Sequence, residues 1–225
     1  MAKTRSETFF EEYCARSKIA FARIPEDNGK TPDYELIIDG QQIIVEVKEL
    51  VPNKEEQESD RILHEQRGYG NALSTTPGDR VRKKISYSSA QIKARMQGVY
   101  PSVLVLFDRG RLAGHLDSYD IRVAMYGLEQ VHIAVPRDPS VSPYATGMSY
   151  GPKRKMTVED NTSISAIGVL FTPEADKIAL HVYHNRFAAV PLDPRLLGQY
   201  GICQFKLEQE VPTKTAKWEE AAVSL

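Results

Sequence analysis

Alternation between hydrophobic and polar positions is clearest in the first quarter of the chain, where it predicts a β-hairpin. Two runs rich in strand-forming residues, Tyr34–Ile38 and Gln42–Lys48, flank Asp39-Gly40, a dipeptide typical of tight hairpin turns. The apolar run Ile19–Ile24 predicts a short strand before them. Together these segments predict three strands that follow one another along the chain.

The second hairpin strand sorts its side chains onto two faces. Because successive side chains of a strand point to opposite sides, Ile43, Val45 and Val47 share one face, which we expect to pack in the core. The opposite face carries Glu46 and Lys48. A carboxylate and an amine therefore lie side by side near the end of this strand.

Helical periodicity predicts two helices in the first hundred residues. Ser6 is a favourable N-cap, and the apolar residues that follow it at helical spacing predict the first helix. Residues 49–78 lack apolar periodicity, and we expect only a short helix there, over Asp60–Gln66. The segment Asp79–Gln97 has apolar positions at helical spacing and predicts the second, longer helix.

The second half of the chain predicts further strands. The continuous apolar run Val103–Phe107 has the length of a strand buried on both faces. Residues 136–155 are rich in Pro, Ser and Gly and end in a basic cluster, and we expect a docked helix in the polar tail that begins at Glu208. The remaining predicted elements are a helical turn at Tyr119–Tyr126 and strands at Val131–Val135, Ile164–Phe171 and Ile178–Tyr183, the last two closing the sheet.

Composition agrees with this pattern of elements. The chain has 225 residues, of which 41% are hydrophobic and 26% are charged, close to the average of globular proteins. These values exclude a disordered chain, a coiled coil and a collagen-like fibre. Because the sequence has no internal repeat and no convincing linker, we expect one domain over residues 1–225, of the α/β or α+β class.

Charge, cysteine content and hydropathy limit the partners and the cellular compartment that we expect for this protein. The 29 Lys and Arg residues nearly balance the 30 Asp and Glu residues, so an anionic partner has to meet a local basic patch. Cys14 and Cys203 are too few for a disulfide framework, and we expect both as buried free thiols. The sequence has no signal peptide and no run of about 20 apolar residues. We therefore expect a cytoplasmic protein with no membrane partner.

Asp33, Glu46 and Lys48 form the candidate catalytic site. Asp33 enters the first hairpin strand, and adjacent strands lie about 4.8 Å apart, so its side chain can converge with those of Glu46 and Lys48. Two carboxylates with a backbone carbonyl make an incomplete shell of oxygen ligands, which suits Mg²⁺. A lysine beside them can orient a water or stabilise charge that develops on a phosphate. The set predicts hydrolysis of a phosphodiester.

The pair Pro32-Asp33, followed by Glu46-Val47-Lys48, resembles the signature of the PD-(D/E)XK nuclease superfamily. The resemblance covers about residues 5–107, in the order helix, three strands, helix, strand, and leaves 108–225 as a C-terminal extension that completes or packs on the sheet. It implies the restriction-endonuclease-like fold, a mixed central sheet flanked by helices. It also implies that Asp33 and Glu46 bind Mg²⁺ or Mn²⁺ and that Lys48 assists the attacking water.

Many members of this superfamily add a carboxylate from the first helix. Glu7 stands at the spacing of resolvase-like members, and Glu11, one turn later on the same face, is the alternative. Glu7 also has a purely structural interpretation, because the helix dipole favours an acidic residue in the first turn. Gln91 resembles a glutamine often found in the later helix of the family, without an assigned chemical role.

Basic residues of the long helix are the candidate contact to nucleic acid. They can neutralise backbone phosphates and release counterions, although a helix with one apolar stripe also needs a polar face toward solvent. Lys153, Arg154 and Lys155 form a second candidate patch, and Tyr69 is a candidate for stacking on a base. The residues of the first set are Arg80, Arg82, Lys83, Lys84, Lys93 and Arg95.

The leading hypothesis is a Mg²⁺-dependent nuclease that hydrolyses phosphodiester bonds of nucleic acid, as an endonuclease on DNA rather than RNA. Two alternatives stay open. One is an inactive module of the same fold that binds nucleic acid or a protein partner, and the other is an interaction protein whose Glu46 and Lys48 face a partner. The sequence does not decide the substrate structure, the existence of a homodimer or the role of residues 110–225.

Overall fold

A computed structural model of the chain describes residues 3–25, 31–51, 54–65, 76–96, 98–108, 116–174, 177–207 and 217–221. The helices in these ranges are α1 (Arg5–Arg16), α2 (Lys54–Glu65), α3 (Asp79–Met96), α4 (Ser118–Tyr126) and α5 (Pro194–Gly198). The strands are β1 (Phe21–Arg23), β2 (Tyr34–Ile38), β3 (Gln41–Leu50), β4 (Ser102–Asp108), β5 (Glu129–Ala134), β6 (Tyr144–Tyr150), β7 (Ala166–Glu174), β8 (Lys177–His184), β9 (Cys203–Leu207) and β10 (Trp218–Glu220).

Eight of the ten described strands form one sheet, in the order β1-β2-β3-β4-β7-β8-β9-β10. Strand β4 lies parallel to both β3 and β7, whereas the pairs β2–β3 and β7–β8 are antiparallel. Strands β5 and β6 form a separate antiparallel hairpin. The predicted α/β architecture, with a large mixed sheet flanked by helices, is confirmed.

Hydrophobic side chains pack against both faces of the sheet. On one face Phe10 of α1 belongs to the same core as Val45 of β3. On the other face Ile85 of α3 belongs to the same core as Ile44 of β3. Strand β4 is buried along its whole length, so the prediction of a strand covered on both faces is confirmed.

The predicted hairpin is present as β2 and β3. Asp39 and Gly40 have φ values of 50° and 74°, the left-handed conformation that a two-residue hairpin turn requires. The alternation along β3 also agrees with the prediction, because Val45 and Val47 lie in the core with α1 while Ile44 lies in the core with α3. Strand β3 is therefore buried on both faces, and it continues to Leu50.

The start of α1 differs from the prediction that Ser6 is its N-cap. The N-cap is Thr4, whose hydroxyl accepts a hydrogen bond from the backbone N–H of Glu7. The Glu7 carboxylate in turn accepts one from the backbone N–H of Thr4, at 2.5 Å. This capping box satisfies two N–H groups at the helix start, whereas a lone serine satisfies one, and Ser6 is buried within the helix instead.

The region after residue 136 contains more strands than its sequence pattern predicts. The segment 136–155, for which no strand is predicted, includes β6. Strand β8 does not close the sheet, because β9 and β10 extend it. The prediction of a helix in the tail is wrong at Trp218, which begins β10. These are short or polar strands, and pairing with a neighbour rather than intrinsic preference stabilises such segments.

Three smaller expectations have separate outcomes. Helix α2 begins at Lys54, six residues before the predicted start at Asp60. Cys14 is buried as expected, but Cys203 is exposed. Tyr69 lies outside the described residues. In the ranges that are described, no helix is both long enough and apolar enough to cross a membrane.

Candidate active site

Pairing of β2 with β3 brings Asp33 next to Glu46. Tyr34 pairs with Val45, and the same antiparallel register carried one position further sets Asp33 opposite Glu46. The Oδ2 atom of Asp33 accepts a hydrogen bond from the backbone N–H of Val47, at 2.8 Å. The carboxylate that enters β2 is therefore fixed against the backbone of β3.

The Glu46 carboxylate is buried. The residue is 0% exposed, and Lys48 and the backbone of Asp33 are the polar groups that favour its charged form. The ammonium group of Lys48, two positions later on the same face, forms an ion pair with Oε1. The side chain of Lys48 is 28% exposed, so it connects the buried carboxylate with the protein surface.

Burial disfavours the charged forms of both acids. Burial raises the pKa of Glu46 from its usual 4.5 to about 7, and the charge of Asp33 adds to this rise while Lys48 opposes it. Burial also raises the pKa of Asp33, against the hydrogen bond from Val47 and the charge of Lys48. Acids perturbed by both burial and a charged neighbour are typical of functional sites.

Asp33 and Glu46 are the residues of this site that could hold a divalent cation. The buried carboxylate of Glu46 is a hard oxygen ligand, and a cation beside it would offset the repulsion from Asp33 that adds to its raised pKa. In the described part of the chain, no group of three or more His, Cys, Asp or Glu side chains is arranged to hold a metal ion. Two carboxylates still suit Mg²⁺, because this ion commonly keeps several waters and binds substrate phosphate.

Helix α3 runs over this site in the direction opposite to β3. Near its start, Nη2 of Arg80 lies 4.0 Å from Oδ1 of Asp108, whose partner on β3 is Leu50. Near its end, Nε of Arg95 donates a hydrogen bond to Glu35 at 3.1 Å, and Glu35 pairs with Ile44. The middle of α3 therefore lies above Glu46 and Lys48.

The middle of α3 supplies two residues near the site. Lys84 is half-buried, and burial together with the charge of Lys48 lowers its pKa, while Glu49 opposes this change. Ser88 is 0% exposed, and its hydroxyl has no hydrogen-bond partner among the described residues. Ser88 is not among the residues predicted for the site, although its spacing from Val81 and Ile85 on one helical stripe indicates a buried hydroxyl.

The loop before Asp33 is attached to the same helix. Nε2 of Gln91 donates a hydrogen bond to the carbonyl oxygen of Thr31, at 3.3 Å. Thr31 lies two residues before Asp33, so this bond helps to position the start of β2. The contact gives Gln91 a physical role that its sequence pattern did not provide.

The other basic candidates on α3 differ in accessibility. Arg82 is 5% exposed and donates to Asp79 and to the carbonyl oxygens of Pro77 and Val123, so it is a structural residue that phosphate cannot reach. Lys83 and Lys93 are exposed. Arg80 and Arg95 lie along the helix flank beside the site and have the acidic neighbours described above.

Glu7 and Glu11 lie in an ionic network beside the site. Glu7 completes the capping box with Thr4 and forms an ion pair with Arg23. Glu11 lies 3.3 Å from Nε of Arg23 and accepts a hydrogen bond from the hydroxyl of Tyr34, at 2.9 Å. The charge of Glu7 contributes to the raised pKa of Asp33, which places Glu7 within electrostatic range of the site.

The second basic patch has no described link to these residues. Lys153 and Arg154 are exposed, and the backbone N–H of Lys155 donates to the carbonyl oxygens of Ala124 and Met125 at the end of α4. No described contact joins this patch to Asp33 or Glu46. The candidate site is thus built from β2, β3 and α3.

Comparison with known proteins gives no relative from which a role can be transferred. The chain has no significant match to a protein-family model, to a curated protein or to a solved structure.

Proposed function

We propose that this protein is a metal-dependent phosphodiesterase that hydrolyses nucleic acid, as an endonuclease on DNA rather than RNA. The observation that carries the proposal is the juxtaposition of Asp33, Glu46 and Lys48 on neighbouring strands, with the Glu46 carboxylate fully buried. Burying a charge costs stability, and an acid whose pKa is raised by both burial and a neighbouring acid is typical of a binding or catalytic site.

We also propose that the first part of the chain has the restriction-endonuclease-like fold. Two observations support this assignment. The described elements follow the order α1, β1, β2, β3, α3, β4, with α2 between β3 and α3, which agrees with the order that the signature implies. The strands lie in the order β1-β2-β3-β4, with β4 parallel to β3.

Each residue of the site has a distinct role in this proposal. Asp33 and Glu46 hold Mg²⁺ or Mn²⁺, which when bound supplies charge neutralisation at the scissile phosphate and activation of the attacking water. The hydrogen bond from Val47 holds Asp33 in position for this task. Lys48 moves from its ion pair with Glu46 to orient the water and to stabilise charge that develops on the phosphate.

The test is a cleavage assay of the purified chain with Mg²⁺ or Mn²⁺, against labelled single-stranded, double-stranded and branched DNA and RNA. We expect cleavage that EDTA abolishes and that Asp33→Ala and Lys48→Ala remove. Lys177→Ala is the matched control, since Lys177 is an exposed lysine at the start of β8 that forms an ion pair with Glu174 at the end of β7. Absence of cleavage by the wild type, or equal cleavage by all variants, contradicts the proposal.

One observation favours a second candidate, an inactive module that binds nucleic acid. The cation beside Glu46 is the chain's own Lys48, and no third His, Cys, Asp or Glu ligand joins the two acids within the described ranges. Calorimetry separates the candidates. An active site takes up Mn²⁺ and loses this binding in Asp33→Ala, whereas the inactive module shows salt-dependent DNA binding and no Mn²⁺ uptake.

A further inference from the structure

A stripe of five residues on α3 borders the candidate site. Positions 80, 84, 87, 91 and 95 are separated by four, three, four and four residues, so they lie on one face of a helix. This stripe runs beside the buried stripe that contains Ile85 and Ile92. Its members are Arg80, Lys84, Tyr87, Gln91 and Arg95.

Side-chain contacts connect the stripe to the strands that carry the site. Gln91 reaches Thr31 at the entry of β2, and Arg95 reaches Glu35 within β2. At the other end of the stripe Arg80 lies near Asp108. Lys84 lies between these ends, within electrostatic range of Lys48. The stripe therefore follows the edge of the site over the length of α3.

Tyr87 presents a solvent-exposed ring in the middle of this stripe. The residue is 71% exposed, and its side chain has no hydrogen bond and no ring contact within the described part of the chain. Tyr87 lies one helical turn from Lys84 and one turn from Gln91, where neighbouring side chains are roughly 5–6 Å apart at Cβ. An exposed aromatic ring thus lies between Lys84 and Gln91 at the border of the site.

Lys84 adds a positive charge that is not held in an ion pair, although the charge of Glu49 acts on it. It forms no hydrogen bond or ion pair with any residue that the structure describes, although it is half-buried. An ammonium group held in this way can bind a phosphate without first breaking an ion pair. A lysine next to an exposed aromatic ring is the combination that binds the backbone and a base of a single strand together.

We propose that Tyr87 stacks on an unpaired base of the substrate while Lys84 contacts an adjacent phosphate, so that the site takes single-stranded or locally unpaired nucleic acid in preference to a continuous duplex. The proposal rests on the proposed function and specifies its substrate. Base faces are covered by neighbouring pairs inside a duplex, where only base edges reach the grooves. A tyrosine ring can therefore stack on a base only where that base is unpaired or lifted from the stack.

The first test is binding in EDTA, where no cleavage occurs, measured by fluorescence anisotropy with a labelled single strand and with a blunt duplex of the same sequence. We expect tighter binding of the single strand. Tyr87→Ala should weaken single-strand binding roughly 5- to 100-fold and change duplex binding less than about twofold. Tyr87→Phe should restore single-strand binding, because the phenyl ring keeps the stacking face.

The matched control is Tyr144→Ala, which removes another exposed tyrosine, 55% exposed on β6. We expect it to bind both nucleic acids like the wild type. A second readout is the fluorescence of 2-aminopurine within the single strand, which stacking quenches. Quenching by the wild type and by Tyr87→Phe, but not by Tyr87→Ala, is the expected result, and it does not depend on the affinities.

Failure of this inference is distinct from failure of the proposed function. Equal loss of single-strand and duplex binding in Tyr87→Ala, or no loss, overturns the stacking role even if the protein cleaves DNA with Mn²⁺. A wild type that binds single strands through Tyr87 but cleaves none of them with Mg²⁺ or Mn²⁺ overturns the nuclease and leaves the binding mode supported. Because Tyr87 is exposed, we expect unchanged circular dichroism for Tyr87→Ala.

Discussion

The backbone N–H of Val47 donates a hydrogen bond to the carboxylate of Asp33, so an acid at the entry of β2 is held by the residue between Glu46 and Lys48. One hydrogen bond thus links both parts of the sequence signature. It also means that Asp33 has a structural partner as well as a proposed catalytic task, and substitutions at this position must separate the two.

Asp33→Asn should separate the structural role of Asp33 from its proposed role in metal binding. Asparagine keeps an oxygen that accepts from Val47 but lacks the charge that holds a cation, so we expect a folded protein that neither cleaves DNA nor binds Mn²⁺. Asp33→Ala leaves the Val47 N–H without this acceptor, and we expect it to lower the free energy of unfolding by about 1–3 kcal/mol. Chemical denaturation and calorimetry check the two variants. A Mn²⁺ affinity of Asp33→Asn equal to that of the wild type contradicts the assignment.

Glu46→Gln should stabilise the metal-free protein at neutral pH. The folded-state pKa of Glu46 is raised to about 7 from 4.5, so the folded protein holds this proton more tightly than the unfolded chain. The group therefore costs no stability below pH 4.5 and opposes folding increasingly as the pH rises through 7. We expect Glu46→Gln to raise the free energy of unfolding above pH 7 by on the order of 1–3 kcal/mol.

The measurement is urea denaturation in EDTA at pH 5 and at pH 8. The difference between Glu46→Gln and the wild type should be larger at pH 8 than at pH 5. Glu159→Gln, at an exposed glutamate, serves as the control and should show no such pH-dependent gain. A destabilised Glu46→Gln at pH 8 would show that the ion pair with Lys48 outweighs the burial of the charge.

Lys48→Met should separate metal binding from turnover. Methionine keeps much of the side-chain length and removes the ammonium group that pairs with Glu46. We expect Mn²⁺ to bind this variant at least as tightly as the wild type, since no internal cation competes for Glu46. Cleavage should fall roughly 100-fold or more, because no group orients the water or stabilises developing charge. Calorimetry and single-turnover assays give the two values, and loss of Mn²⁺ binding is the contrary result.

Glu7→Gln tests whether the first helix contributes to chemistry. Glu7 holds the N–H of Thr4 and pairs with Arg23, so we expect its substitution to act mainly on stability, by about 0.5–2 kcal/mol. Cleavage should remain within about threefold of the wild type, since no transition-state contact is removed. Thr4→Ala is the companion variant, as it disrupts the same cap from the other side. A large loss of cleavage in Glu7→Gln alone would assign Glu7 to the site.

Because His184 is buried, we expect the folded protein to lose stability in mild acid. Nε2 of His184 lies 3.0 Å from Oε1 of Gln204, and burial lowers the pKa of His184 below the usual 6.5. The unfolded chain then binds a proton at a pH where the folded protein does not, so the stabilisation present above pH 6.5 is lost as the pH falls. Thermal denaturation between pH 5 and 7 should show a smaller slope for His184→Gln than for the wild type.

Local signals account for the parts of the fold that the sequence predicted well. Asp39-Gly40 between two alternating runs specifies both the β2–β3 turn and its register, and this register alone places Asp33 beside Glu46. Strand β4 and the apolar stripe of α3 are likewise visible from hydrophobic spacing. The proposed catalytic residues lie close together in sequence, so local structure is enough to assemble them.

The features that sequence analysis missed depend on distant partners. Strand β10 is short and carries two glutamates, and only its pairing with β9 makes Trp218 part of a sheet. Arg82 looks like its basic neighbours in sequence, yet α4 lies against it and supplies the carbonyl of Val123. The relation of Lys84 and Tyr87 to the site also requires the direction of α3 over β3, which no spacing in the sequence specifies.

The central position of β4 in the sheet limits where the chain can be truncated. It is hydrogen-bonded to β3 along one side and to β7 along the other. Gly168 of β7 packs so tightly that a methyl group there would come within 3.2 Å of both Val105 and Leu180. Truncation after residue 107 would leave β4 with a bare apolar edge, and such edges recruit other chains into aggregates. The proposed site lies in one half of the polypeptide, but we expect that half not to fold in isolation.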